Sequence, residues 1–253
     1  MRFKVIADTD VGTIKKTNQD SLLVKQASCE IGEVLLAVVC DGMGGLAKGE
    51  LASATVIKSF AEWFDQEFPN EIDRLDMRII GEKWTHKLKE LNVVIAEYAQ
   101  MQGVTMGTTF SGILFAGEQY LIVHVGDTRV YHLGDALKQI TSDQTFIARE
   151  IKKGVLTAEQ AKTDKRRNML LQCVGASDRL EPEVIVGQYE QGAYLLCSDG
   201  FRHEISEAEI FDLLQPKKLT MKEIMAKNVR CLIDQVKKRG EKDNISAILI
   251  KVD

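Results

Sequence analysis

Apolar residues follow two rhythms along the chain. Short runs, dense or alternating in apolar residues, recur at FKVIAD (3–8), SLLVKQ (21–26), EVLLAVVC (33–40), TTFSGILFA (108–116), QYLIVHV (119–125), RVYHL (129–133), EVIVGQY (183–189), AYLLCS (193–198) and ISAILIKV (245–252). Their length and β-branched content predict strands, and their mostly short spacings predict antiparallel pairing. The second rhythm places apolar residues three to four apart. It carries Leu51, Val56, Ile57, Phe60, Trp63 and Phe64 in one segment and Trp84, Leu88, Leu91, Ile95 and Tyr98 in the next. A third segment holds Met221, Ile224, Met225, Val229, Leu232, Ile233 and Val236, with Thr220 as its expected cap and Gly240 after its end. These predict amphipathic helices. Clustered strands with helices inserted between them predict α+β layers rather than a regular βαβ alternation.

No Ser/Gly/Pro-rich linker or repeat divides the 253 residues, so one domain over 1–253 is expected. A hydrophobic share of 45% supports a sizeable core. The net charge of -4 argues against a general positive field of the kind that draws proteins to nucleic acid or anionic membranes. An anionic substrate must then be captured locally. Cys29, Cys40, Cys173, Cys197 and Cys231 are odd in number and never spaced as C-x-x-C, which argues against a disulfide framework or zinc site and for a reducing compartment. No apolar run approaches the ~18 residues of a membrane span. A cytoplasmic monomer is expected.

Acids stand at the margins of several strands. VVCDGMGGLAKGE (38–50) delivers Asp41, LIVHVGD delivers Asp127, YLLCSDG delivers Asp199, GEKDNISAILI places Asp243 before the last strand, and TNQDSLLV sets Gln19 and Asp20 before an early one. Each alone reads as a turn residue, since Asp and Gly favour hairpin connections. As a set they can converge on one rim, where clustered carboxylates repel unless hard divalent cations hold them. An all-oxygen site without paired His or Cys points to magnesium or manganese. The glycines after Asp41 would let backbone approach a metal and lead into the helix starting near Gly49. A nucleotide loop is the rival, but GGLAKGE lacks the G-x-x-x-x-G-K-[ST] spacing.

The ordered series DTDVGTIKKTNQDSLLV (8–24), VVCDGMGGLAKGELAS (38–53), GTTFSGILF (107–115), VHVGDTRVYHL (123–133), ITSDQTF (140–146), LLCSDGF (195–201) and KDNISAILI (242–250) resembles the metal-dependent serine/threonine protein phosphatases of type 2C, in the compact form typical of bacteria. The resemblance implies a β-sandwich flanked by helices, with metals at one end. It implies Mn2+ or Mg2+ as two core ions: Asp41 bridges them, the Gly42 carbonyl binds one, and Asp199 and Asp243 complete the other. Asp20 and Gln19 would hold metal-bound waters, and Asp127 with Asp199 would hold a third, weaker ion. Hydrolysis of phosphoserine and phosphothreonine in proteins, opposing a Ser/Thr kinase, is the implied function.

Three positions depart from the family pattern. Lys15 stands where Arg usually grips the substrate phosphate, supplying charge without a bidentate fork. Met43 stands where some members carry His, which leaves leaving-group protonation to metal-bound water. Gln144 replaces a common His. Of His86, His124, His132 and His203, only His203 lies close behind a site acid. Residues 142–180 match the family's flap, and Lys165, Arg166 and Arg167 within it read as a solvated basic face. Cys40 and Cys197 read as small core residues. The alternatives are a catalytically weak member that binds phosphoproteins, and a hydrolase of another phosphoester.

Overall fold

Strand β3 (Gly32–Cys40) explains why some apolar runs are continuous. Every residue from Val34 to Cys40 is buried. Val34, Leu36, Val38 and Cys40 enter one hydrophobic cluster, while Leu35, Ala37 and Val39 enter another. This is the two-residue period of a strand covered on both faces. The structure, a computed structural model, describes residues 2–43, 48–167 and 169–252. Gly44 to Ala47, part of the glycine-rich motif after Asp41, lie outside the described residues.

Elements are numbered in chain order. One sheet runs β1 (Phe3–Asp10), β10 (Ile245–Val252), β9 (Gly192–Cys197), β6 (Arg129–Leu133) and β7 (Leu137–Gln139). The other runs β2 (Ser21–Cys29), β3, β4 (Phe110–Ala116), β5 (Gln119–Val125) and β8 (Glu183–Gln188). All strand pairs are antiparallel. Phe115, Ile122, Tyr194, Leu196, Ile248 and Ile250 fill the space between the sheets.

Helices α1 (Gly49–Gln66) and α2 (Met77–Met101) cover the outer face of the second sheet. Trp84 anchors them, edge-on to Phe60 at 5.1 Å and to Trp63 at 5.2 Å. Asp76 caps α2 by accepting from the amides of Arg78 and Ile79, satisfying donors that the first turn leaves unpaired. Within 142–180 lie α3 (Phe146–Lys152) and α4 (Ala158–Thr163), capped by Thr145 and Thr157. Helices α5 (Asp199–Arg202), α6 (Glu207–Leu214) and α7 (Lys222–Lys238) cover the first sheet, with Leu232, Ile233 and Val236 of α7 against Leu195 and Leu249. The layers are therefore α-β-β-α, as expected for an α+β sandwich.

Two local expectations change. The cap position of α7 falls on Met221, which has no side-chain acceptor, so Thr220 sits one residue too early to cap it. Strand β4 starts at Phe110 rather than 108. Thr108 instead bridges Gly42 on one side and Val174 on the other. Among the described residues, no helix is long and apolar enough to cross a membrane.

Candidate functional site

Strand register brings the scattered acids to common ends. Ser21 pairs with Cys40, so Asp20 and Asp41 stand at the same end of the second sheet, and Phe110 paired with Val125 brings the Asp127 loop there too. In the first sheet, Cys197 pairs with both Arg129 and Ala247, which sets the segments of Asp127, Asp199 and Asp243 side by side. The two ends meet electrostatically at Asp41. Burial first, then the charges of Asp20, Asp199, Asp127 and Asp243, hold its carboxyl well above the usual range.

The backbone around Asp41 is clamped. Its amide donates to Thr109 Oγ1 at 2.9 Å, and its carbonyl accepts from the Thr109 amide at 2.9 Å and the Thr108 hydroxyl at 3.0 Å. The Gly42 amide donates to the Gln19 carbonyl and the Met43 amide to the Gly107 carbonyl, both at 3.1 Å. A Cβ on Gly42 would stand 2.5 Å from the carbonyl oxygens of Gln19 and Gly49, so only glycine fits. Gln19 Nε2 donates to Glu50. Asn244 Oδ1 accepts from the Gln19 amide while its Nδ2 donates to the carbonyls of Val11 and Thr17. This side chain ties the N-terminal loop to β10, a role with no local signature in KDN.

The acids differ in their partners. Both carboxylate oxygens of Asp20 and Oδ1 of Asp199 are buried without a hydrogen bond. Burial, then the charges of Asp199 and Asp243, push Asp20 up to about 7; the hydroxyls of Ser246 and Ser198 oppose this from nearby without closing a bond on it. Burial, then the charge of Asp199, pushes Asp127 up to about 7 against the pull of Arg202. Asp243 instead meets Lys15, with Nζ to Oδ1 at 2.9 Å. Among the described residues, no three His, Cys, Asp or Glu side chains form a ready cage for one ion. Asp41, Asp199 and Asp243 are thus near neighbours not closed on a common point.

Asp127 and Asp243 border a cleft of about 990 Å³. Its walls carry Lys15, Arg129, Arg202 and His203 from the core, with Lys152 and Arg167 from the 142–180 segment. His203 lies 3.6 Å from Asp199 Oδ2 and 3.4 Å from Glu241 Oε2. Burial disfavours its charged ring, but Glu241 and Asp199 outweigh that and raise its pKa. Arg202 and Arg129 flank Asp143, and Arg129 grips it with two bonds of 2.8 and 2.7 Å. Nothing in the sequence around Arg202 or Asp143 signals these pairings. The basic trio separates: Arg166 pairs with Asp164 and lies 4.2 Å over the Phe146 ring, Lys165 is exposed, and Arg167 faces the cleft. Cys40 and Cys197 are fully buried. A smaller hollow of about 630 Å³ between α2 and β8 contains one acid, Glu82, and lacks this chemistry.

Asp20 and Asp127 are buried and Asp41, Asp199 and Asp243 partly so, and these mutually repelling carboxylates, with unpartnered oxygens on Asp20 and Asp199, require counter-charge when ionised. Oxygen-only donors of this kind suit hard divalent cations. The residues therefore fit a magnesium or manganese centre beside a positively lined cleft.

Comparisons with known proteins agree with this chemistry. The family profile described as protein phosphatase 2C matches residues 14–249. The serine/threonine protein phosphatase PstP of Mycobacterium tuberculosis is 32% identical over 255 residues, which cover 99% of this chain but 45% of that protein. The chain thus spans under half the length of that relative. The Streptococcus agalactiae serine/threonine phosphatase superposes with a TM-score of 0.86 at 27% identity, over 100% of both chains. The PstP catalytic domain, in complex with two manganese ions, superposes with a TM-score of 0.79 at 31% identity, over 99% of both chains. With the profile running across nearly all of it, the chain belongs to the protein phosphatase 2C family.

Proposed function

We propose that this protein is a metal-dependent phosphatase that hydrolyses phosphoserine and phosphothreonine in proteins, opposing a Ser/Thr kinase. The observation that carries the reading is the convergence of strand ends on Asp41, whose carboxyl is raised by burial and then by the charges of Asp20, Asp199, Asp127 and Asp243. Family membership and relatives named as serine/threonine phosphatases support the substrate class.

In this reading Asp41, Asp199, Asp243 and the Gly42 carbonyl hold two Mn2+ or Mg2+ ions, with Asp20 and Gln19 supporting them. When bound, such a pair activates water and neutralises charge on the phosphoryl oxygens. The two manganese ions of the related PstP domain favour this count. The third ion expected at Asp127 and Asp199 meets the Arg202 guanidinium there. Lys15 supplies positive charge to the substrate phosphate from the cleft wall. Met43 has no exchangeable proton, so the departing serine or threonine oxygen would take its proton from water. Residues 1–253 act as one catalytic unit with 142–180 as its flap, and five free cysteines favour a reducing, cytoplasmic setting.

Purified protein with manganese, offered p-nitrophenyl phosphate and a phosphothreonine peptide, is expected to hydrolyse both and to stop when a chelator is added. Activity that is absent, or that survives Asp41→Ala and Asp199→Ala, would overturn the proposal. Partner capture without turnover would instead favour a phosphoprotein-binding role, the reading that Lys15 in place of Arg supports.

A further inference from the structure

Arg202 separates the site acids into two sets. Asp20 and Asp199 keep buried oxygens with no partner. Asp127 already has a cation: Arg202 Nη2 donates to its carbonyl oxygen at 3.0 Å and lies 3.6 Å from its Oδ2. The same nitrogen is 3.8 Å from Asp143 Oδ2, so the guanidinium sits between two carboxylates. Helix α5 is one turn long, with Asp199 at its start and Arg202 at its end. A single rigid turn thus delivers both an acid and a cation to the same place.

We propose that the Arg202 guanidinium is a built-in cation at Asp127, standing where a third divalent ion would bind, so that this protein works with two ions. The proposal rests on the two-ion reading above. An ion ~2.1 Å from Asp127 Oδ2 would share that oxygen with a guanidinium 3.6 Å away, and the two positive charges would repel. Arginine does not escape by losing its proton at any working pH. Lys15 on Asp243 is a different case. That pair is a single contact between groups 27% and 36% exposed, on a flexible stem, so the lysine can be displaced. The Arg202 side chain is 13% exposed and anchored to a main-chain carbonyl as well as to two acids.

The test counts manganese ions bound by the full chain, using equilibrium dialysis with metal analysis and calorimetric titration. Wild type is expected to bind two. Arg202→Met, checked for folding by its melt, is expected to gain a third ion at least ~10-fold tighter than any third binding in wild type. Asp127→Asn supplies an independent variant and is expected to leave the count at two. Three ions in wild type, only two in folded Arg202→Met, or loss of an ion in Asp127→Asn would each overturn the proposal. Fewer than two ions in wild type would overturn the two-ion reading itself, and this inference with it.

Discussion

Lys15 Nζ lies 2.9 Å from Asp243 Oδ1, so the residue expected to meet the substrate phosphate faces an expected metal ligand. One ammonium can serve both partners in turn. It would neutralise Asp243 until an ion bound there, and would then be free for phosphate. A partly exposed pair of this kind contributes about 0.2–1 kcal/mol, little enough to be displaced. Lys15→Ala is therefore expected to tighten manganese binding by up to ~5-fold while raising KM for a phosphopeptide ~10-fold, the scale of a lost charged hydrogen bond. Calorimetry and steady-state kinetics read the two effects separately, and weakened metal binding would refute the double role.

Gln144, expected as His from the family pattern, connects the Asp127 loop to the 142–180 segment. Its Oε1 accepts from the Gly126 amide at 2.8 Å and from Gln172 Nε2 at 2.7 Å. Its amide donates to the Gly126 carbonyl and its carbonyl accepts from the Leu171 amide, both at 2.8 Å. Gln144→Ala keeps the backbone pair but loses the side-chain bonds, at about 1 kcal/mol each. Faster amide exchange across 142–172 and a roughly tenfold lower kcat/KM are expected. Unchanged exchange there would show that Gln144 does not hold the flap.

Much of this was legible from the chain because strands repeat every two residues. Among the described residues the nine apolar runs coincide with nine of ten strands, and each strand-end acid was marked by the run it closes or opens. Strand β7 escaped because Leu137–Gln139 is too short to carry a period. Helix α5 escaped because a single turn does not repeat. Sheet order was hidden, since β1 pairs with β10 across almost the whole chain. Arg202 on Asp127, Asn244 under Gln19 and Glu241 on His203 were hidden for the same reason: each side chain meets a partner from another element, and no local pattern encodes such a meeting.

The raised acids set a pH dependence. In the folded chain Asp20 and Asp127 are pushed up to about 7 and Asp41 is held well above its ordinary value, by burial first and then by the charges of neighbouring acids, against about 3.9 in an unfolded chain. Between these values the folded chain binds more protons. Its advantage is full below about pH 4 and is lost as pH rises through about 7. His203, also raised, works in the same sense, while His124, lowered by burial, opposes it below about pH 6.5. Asp143, lowered by Arg129 despite burial, changes only below about pH 4. Metal-stripped protein is thus expected to melt at least ~5 °C higher at about pH 5.5 than at about pH 8. Saturating manganese should shrink or reverse that difference, because ionised carboxylates bind it best. A metal-free melt that rises with pH would contradict the burial of these acids together.

Gly42 and Gly32 separate room at the site from freedom of the backbone. Gly32, the first residue of β3 after its turn from β2, has φ +101° with nothing within 4 Å of a built Cβ. Gly32→Ala is expected to cost about 1–2 kcal/mol from its left-handed backbone and to leave kcat/KM unchanged. Gly42 has no such φ, but its Cβ would lie 2.5 Å from two carbonyl oxygens. Neither oxygen retreats easily, because the Gln19 amide is held by Asn244 and Gly49 begins α1. The strain must therefore move Asp41 or the Gly42 carbonyl itself. Gly42→Ala is expected to lower manganese-dependent kcat/KM by about 10²-fold, with weaker metal binding and a stability cost of about 1–3 kcal/mol. Melts with and without manganese, measured beside the kinetics, distinguish the two cases. A Gly42→Ala protein that loses stability like Gly32→Ala and keeps its activity would mean that the close approach at Gly42 serves packing alone.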